Sequence, residues 1–363
     1  MKFLGGKVQA KPIEVVVLYG GRSTEHEISC RSARFILGHL DRKKYVVHAI
    51  GIAADGTWWQ QNLESTLATK SGPLPVSKSG MQLDIGSFGR TTENLVVFPI
   101  LHGTFGEDGT LQGWLELKEV AFVGPDTLGS AIGIDKVVAK KLAASAGIPV
   151  VPWVDFRAHT WAVDKSGMCS NALEKLGLPL FVKPAKLGSS VGVSKVTSPQ
   201  ELMLACEHAL KFDDKVLIEK GLEVREIEVA ALGGYEPKLS IAGEVVPHAD
   251  FYSYDAKYTK TDGASVVVPA NLTTEQMNEA RALAGQIYAS LELYGMSRID
   301  LFLEKSTGRF YFNEVNTIPG FTEISQYPML WRESGINASD LLDQLIESAI
   351  RRKHEKQRLM RAK

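Results

Sequence analysis

Ile13-Glu14-Val15-Val16-Val17-Leu18-Tyr19-Gly20-Gly21 decides the fold of the first part of the chain. It is a short, β-branched apolar run that predicts a buried strand of a parallel sheet. Gly20-Gly21 ends it, and Ile28, Phe35, Ile36 and Leu40 then fall on one side of a helix-like stretch. Asn94-Leu95-Val96-Val97-Phe98 reads as a second buried strand, again followed by a Gly-rich loop. Strand, glycine turn and helix in this order indicate an open α/β domain. Ligands of such domains sit beyond the carboxyl ends of the strands.

Working outward, the stretch from Asn62 to Arg90 is rich in Ser, Gly, Pro and Lys and reads as surface loop and weak hairpin. The first domain ends near Gly124-Pro125-Asp126. Asp135 to Ala146 reads as a helix with Asp135 near its start and Gly147 at its C′ position. Leu180-Phe181-Val182-Lys183-Pro184 is a predicted strand, paired as a hairpin with Val191-Gly192-Val193 across a Gly/Ser loop. Val216-Leu217-Ile218-Glu219 is another strand. Glu226-Ile227-Glu228-Val229-Ala230 alternates as a half-buried antiparallel strand does. Leu301-Phe302-Leu303 and Phe310-Tyr311-Phe312 form a predicted hairpin around Gly308, and a helix follows near residues 339–352. The basic tail from Arg351 onward reads as a solvated helix end, since cations suit a helix C-terminus.

The chain has 363 residues, enough for two or three domains at roughly 150 residues each. Lys plus Arg is 41 and Asp plus Glu 42, a formal charge of −1, which argues against a general nucleic-acid binder. No apolar run is long enough for a membrane-spanning helix. Lys2 is followed by only Phe3 and Leu4 before Gly5-Gly6-Lys7, so no secretory h-region is present. Cys30, Cys169 and Cys206 show no metal-binding spacing. A cytoplasmic protein with free thiols is the simplest expectation.

Four groups of residues could carry chemistry. Lys186-Leu187-Gly188-Ser189-Ser190-Val191-Gly192 is a glycine-rich loop whose N–H groups could cradle phosphate, although alone it is equally a hairpin turn. Lys183 upstream of it and Lys136 on the predicted helix are candidate anion ligands. Arg298 and Asp300 share one strand face, as do Glu314 and Asn316. If those strands pair, Asp300, Glu314 and Asn316 offer oxygen ligands to a hard cation such as Mg²⁺. Arg298 beside them would stabilise a phosphoryl group or an oxyanion. In the first domain, Glu25 could hold an ammonium and His102 could bond a carboxylate or phosphate. The polar stretch from Phe251 to Gly263, with aromatic anchors, has the character of an active-site lid.

On these residues the chain resembles the D-alanine–D-alanine ligases of the ATP-grasp superfamily. The resemblance rests on Gly20-Gly21-Arg22-Ser23-Thr24-Glu25-His26-Glu27-Ile28-Ser29 and on His102-Gly103-Thr104-Phe105-Gly106-Glu107-Asp108-Gly109. It rests also on Lys183-Pro184 with Gly188-Ser189-Ser190-Val191-Gly192, on Tyr254-Asp255-Ala256-Lys257-Tyr258, and on Asn313-Glu314-Val315-Asn316-Thr317 with Pro319-Gly320-Phe321-Thr322. Five motifs in order cover nearly the whole chain.

The resemblance implies an α/β (mixed α+β) protein: an N-terminal open parallel α/β domain followed by a two-domain ATP-grasp fold. The implied division is an N-terminal substrate-binding domain over 1–128, a central subdomain over 129–225, and a catalytic domain over 226–363 with its lid around 250–264. It implies ATP as co-substrate, contacted at the phosphates by Lys136, Lys183 and Lys257. Glu219, Lys220 and Leu222 would line the adenine site, with Gly221 among them. Phe251 would pack near the base, and Glu226 would bind the ribose. Asp300, Glu314 and Asn316 would hold two Mg²⁺ ions, with Mn²⁺ as an alternative. Glu25 would take the ammonium of the first D-alanine and join Ser189 and Tyr258 in a network that closes the lid. His102 would lie near the first carboxylate, and Ser325 would help bind the second. Arg298 and the Gly320 N–H would stabilise the tetrahedral oxyanion. The implied reaction makes D-alanyl-D-alanine for peptidoglycan precursors through a D-alanyl phosphate, releasing ADP and phosphate. A homodimer is likewise a family expectation, with no nucleic-acid or membrane partner. A relative using D-serine or D-lactate as second substrate is the alternative, and the Lys257-Tyr258 pair favours an amine. A dehydrogenase would need GxGxxG at Gly20-Gly21, which is missing. A nucleotide-binding protein with a dead site would have lost some of Arg298, Asp300, Glu314 and Asn316; all four are present.

Overall fold

The strand predicted at Ile13 is β1 (Ile13–Gly20), and it lies at the heart of a six-stranded sheet. The structure is a computed structural model that describes residues 12–68, 71–86, 88, 94–247 and 264–359. β1 is flanked in parallel by β2 (Tyr45–Ile52) and β5 (Leu95–Pro99), so Val15 and Val17 are fully buried. Burying each such side chain contributes about 1.5–3 kcal/mol. β6 (Ala121–Phe122) extends the sheet in parallel beyond β5. At the other edge β3 (Trp58–Gln61) and β4 (Gln82–Leu83) add antiparallel. β2 escaped the sequence reading: His48 and Gly51 break its apolar run. The loop expected over 62–90 holds a short helix, α2 (Leu63–Leu67), and β4.

The second sheet runs β7-β10-β8-β9, from β7 (Trp153–Arg157), β8 (Leu180–Pro184), β9 (Ser194–Val196) and β10 (Lys215–Lys220). The expected hairpin exists, but its second strand starts at Ser194, because Ser190–Gly192 turn rather than extend. The third sheet runs β13-β12-β11-β14-β15, from β11 (Val224–Gly233), β12 (Pro237–Pro247), β13 (Ala264–Val267), β14 (Gly295–Glu304) and β15 (Phe310–Asn316). β11 was expected to be half-buried. It is central, and both faces are covered: Ile227, Val229 and Ala231 enter one core, Ala230 and Leu232 the other.

Helices cover these sheets. In the first third they are α1 (His26–His39) and α3 (Thr110–Leu117), followed by α4 (Thr127–Ile134) and α5 (Lys136–Ser145). Asp135 caps α5 by accepting from the N–H groups of Val137 and Val138, satisfying donors that a helix start otherwise leaves unmet. Around the second sheet lie α6 (Ala158–Val163), α7 (Lys165–Leu176) and α8 (Pro199–Ala209). α9 (Thr274–Ser290), α10 (Gln326–Glu333) and α11 (Ala338–Gln357) complete the chain.

α11 joins the ends of the sequence. Leu341, Leu342, Leu345 and Ile346 share one apolar cluster with Val17 and Phe98 of the first sheet. The basic tail is therefore not wholly solvated. Arg352 is 4% exposed and donates to the carbonyls of Gly124 (2.7 Å) and Phe122 (2.8 Å). Lys356 pairs with Glu116 and Asp126.

Candidate active site

β14 and β15 pair as the spacing required: Arg298 stands opposite Asn316 and Asp300 opposite Glu314. The Arg298 guanidinium grips Asp300 with two hydrogen bonds, Nε to Oδ1 at 2.7 Å and Nη2 to Oδ2 at 2.6 Å. Its Nε also lies 3.2 Å from Glu228 Oε2 on β11. Burial opposes the charge of Arg298, but the carboxylates of Asp300 and Glu228 outweigh it and hold the guanidinium above its ordinary range. Asn316 Nδ2 donates to Asp300 Oδ2 at 2.9 Å. Two carboxylates and an amide on adjacent strands form a hard-oxygen donor set that suits Mg²⁺, whose shell is completed by phosphate and water. Glu314 is also met by Lys136, whose Nζ lies 3.0 Å away and donates to the Leu187 carbonyl at 2.6 Å. One lysine thus joins the metal-type acids to the glycine-rich loop.

Lys183 on β8 points toward the same space. Its Nζ is 2.5 Å from Glu219 Oε2, while Lys140 Nζ reaches Glu219 Oε1 at 2.6 Å. Burial alone would raise the Glu219 carboxyl, but the two ammoniums hold it down to about 2. Burial lowers Lys140, which is 1% exposed. Lys140 was missed in the sequence; its spacing of four from Lys136, which puts both on one side of α5, was the available signal. Lys220 ends β10, Leu222 lies in the short link to β11, and Glu226 lies on β11. Gly221 in that link has a packing reason: a Cβ there would sit 2.8 Å from the Pro179 carbonyl oxygen, which its N–H already contacts at 2.7 Å.

The glycine-rich loop is strained where it approaches the first domain. Ser189 and Ser190 adopt φ of 54° and 59°, a conformation that costs side-chain-bearing residues of order 1 kcal/mol or more. That conformation delivers the Ser189 hydroxyl to Glu25, donating at 2.5 Å. Glu25 precedes α1 but does not cap it with its side chain, so its carboxylate is left to reach across. Gly103 makes room for it: a Cβ there would meet Glu25 Oε2 at 3.0 Å.

His102 is buried, and both ring nitrogens are engaged, Nδ1 with the Ile318 carbonyl at 2.9 Å and Nε2 with Ser32 Oγ at 3.2 Å. Burial lowers its pKa, against the pull of Glu25. Glu107 accepts from the N–H groups of Gly103 (2.7 Å) and Ile318 (3.4 Å). Ser325 Oγ accepts from the Thr322 N–H at 2.9 Å. The contacts Glu25–Ser189, Leu187–Lys136–Glu314 and Asn316–Asp300–Arg298 run in one chain from the first sheet to the third. Phe251, Lys257 and Tyr258, with the lid expected around 250–264, lie outside the described residues. Beside this chain, an apolar cavity of about 260 Å³, walled by Ile52, Trp58, Leu101, Phe105, Leu111 and Trp114, borders the His102 loop. Arg22, Ser23 and Thr104 line it as well.

Two family descriptions match the chain: "D-ala D-ala ligase N-terminus" over residues 14–125 and "D-ala D-ala ligase C-terminus" over residues 142–347. The chain belongs to the D-alanine–D-alanine ligase family. D-alanine--D-alanine ligase A of Bradyrhizobium diazoefficiens is 44% identical, covering 97% of this chain and 99% of the relative. The ligase A of Escherichia coli is 42% identical over 94% and 96%. Among solved structures, the D-alanine-D-alanine ligase from Coxiella burnetii superimposes with a TM-score of 0.82 at 34% identity, covering 97% of this chain and 98% of that one. The VanG D-Ala:D-Ser ligase from Enterococcus faecalis gives 0.80 at 35% identity, covering 93% and 100%. The expected fold, an α/β ATP-grasp ligase, agrees with these neighbours.

Proposed function

We infer that this chain joins two D-alanines into D-alanyl-D-alanine at the expense of ATP, as a step in making peptidoglycan precursors. The observation that carries the reading is the polar chain from Glu25 to Arg298, in a protein alike along its length to ligases of this name. A carboxylate is a poor electrophile, and phosphorylation gives it a leaving group. The carboxylate oxygen of the first D-alanine bonds to the γ-phosphorus of ATP, and ADP leaves. The amine of the second then bonds to the acyl carbon, the bond to phosphate breaks, and the amine sheds its proton.

Each residue has a part in this scheme. Glu25 neutralises the first ammonium, with Ser189 fixing the carboxylate that does so. His102 borders the first carboxylate, and Ser325 serves the second. Lys136 and Lys183 offset phosphate charge, and Glu219 holds Lys183 in place. Glu219, Lys220 and Leu222 line the adenine site and Glu226 serves the ribose, and Phe251, Lys257 and Tyr258 act from the lid. Asp300, Glu314 and Asn316 would hold two Mg²⁺ ions, or Mn²⁺; these supply positive charge against the triphosphate. Arg298 and the Gly320 N–H face the oxyanion that forms as the amine attacks. A homodimer in the cytoplasm belongs to the same reading. So does the three-part division over 1–128, 129–225 and 226–363. No helix among the described residues is long and apolar enough to cross a membrane.

The similarity to a D-Ala:D-Ser ligase favours D-serine as the second reading. Incubation with ATP, Mg²⁺ and D-alanine, alone or with D-serine or D-lactate, separates the two by product mass. Dipeptide from D-alanine alone, still dominant beside D-serine and D-lactate, is the expected result. A mixed product as the main species would transfer the assignment to the other acceptor.

A further inference from the structure

We propose that the Ser32 hydroxyl is a positioning residue that ties the loop carrying the Gly320 N–H to α1, across the joint between the first and third sheets. Ser32 is fully buried on α1. Its Oγ accepts the Phe321 N–H at 3.1 Å, a contact between residues 289 positions apart. The same oxygen lies 3.2 Å from His102 Nε2. Hydrogen-bond chemistry fixes the direction of this relay. The Ile318 carbonyl can only accept, so His102 Nδ1 carries the ring proton. In the neutral ring Nε2 is then an acceptor, and the Ser32 O–H must donate to it. One hydroxyl therefore gives its hydrogen to His102 and takes one from Phe321.

The other side of the loop is held by two longer contacts, of 3.4 and 3.3 Å. Glu107 accepts the Ile318 N–H, and Thr317 Oγ1 donates to the Glu107 carbonyl at 3.3 Å. The N–H groups on both flanks, at 318 and 321, are thus engaged, and residue 319 is proline with none to offer. Among the described residues, the Gly320 N–H is the donor of this run left for a ligand. An oxyanion donor tolerates a displacement of only a few tenths of an ångström from its proper distance of about 3 Å, so fixing both flanks of Gly320 decides whether it works.

The inference rests on the reading that Gly320 faces the oxyanion. That oxyanion forms only when the amine attacks the acyl phosphate, so loss of Ser32 must slow the second step and spare the first. The test is Ser32→Ala in the full chain, with phosphate, dipeptide and hydroxylamine-trapped D-alanine hydroxamate measured together. Dipeptide formation is expected to fall about 10- to 100-fold, with KM for ATP within about twofold. Phosphate released per dipeptide should rise above one, because acyl phosphate still forms, is no longer consumed by the slowed amine attack, and escapes to be hydrolysed or trapped in solution. Hydroxamate yield should rise in parallel. A merely structural role would lower turnover and leave the ratio at one; that result, or unchanged turnover, overturns the proposal. If the alanine variant does not fold, Ser32→Cys, whose sulfur is a much weaker acceptor for the Phe321 N–H, must raise the same ratio. Failure of the unsubstituted protein to make dipeptide would overturn the underlying functional reading instead.

Discussion

Arg298 is fixed by two carboxylates, Asp300 and Glu228, and in the proposed scheme their grip aims its guanidinium at the developing oxyanion. Arg298→Ala is expected to lower kcat by about 10²–10³-fold and also to lower Tm, because two adjacent carboxylates lose their cation. Arg298→Lys keeps the charge but not the planar fork, so it should recover more of the Tm than of kcat. Equal recovery of both, in melting and steady-state assays, would count against the oxyanion role. Glu107 gives a pH prediction. Burial, with the field of Glu25, pushes its carboxyl up to about 8. A proton held more tightly in the folded state stabilises it fully below the ordinary carboxylate range, and this stability is lost as pH rises through about 8. Glu107→Gln cannot ionise, so its Tm should fall less between pH 6 and 9 than that of the unsubstituted protein. An unchanged slope would refute this. The residues whose chemistry is spelled by type and local spacing, such as Arg298 with Asp300 or Glu314 with Asn316, were legible in the sequence. Ser32 and Glu228 were not: each acquires its meaning from a partner far along the chain, which no local pattern encodes, whereas Lys140 had only its spacing from Lys136 to mark it.

At the scale of elements, local patterns predicted best where a strand is uniformly apolar. β1 and β5 are such runs, and the β14–β15 hairpin was marked by its turn. β2 was obscured by His48 and Gly51, whose tolerance comes from neighbours rather than from their own propensity. α11 shows the same limit. Its last turns look like a solvated basic tail, yet Arg352 is buried against the carbonyls of Gly124 and Phe122 and faces the rings of Phe122 and Tyr294. Arg352→Met would leave both carbonyls without these partners and should cost about 3 kcal/mol of unfolding free energy. Denaturant titration checks this. A loss under about 0.5 kcal/mol, the size of an ordinary surface substitution, would mean that the helix does not anchor the first sheet.

Across the whole molecule, the site exists only where three sheets meet. Glu25 comes from the first, Lys183 and Glu219 from the second, and Arg298, Asp300 and Glu314 from the third or its edge. ATP bridging the last two should stabilise the fold in proportion to its occupancy, by about 2.7 kcal/mol at a hundred times Kd. Most of that gain should vanish with EDTA, since the triphosphate would then face Asp300 and Glu314 without intervening cations. An equal rise in Tm with and without EDTA would argue against a metal at those acids. The central claim is that a carboxylate oxygen of the first D-alanine becomes a phosphate oxygen. D-alanine labelled with ¹⁸O in its carboxyl group tests it directly, by mass analysis of the phosphate released during dipeptide synthesis. The account predicts one ¹⁸O atom per phosphate. Unlabelled phosphate formed alongside dipeptide would contradict it.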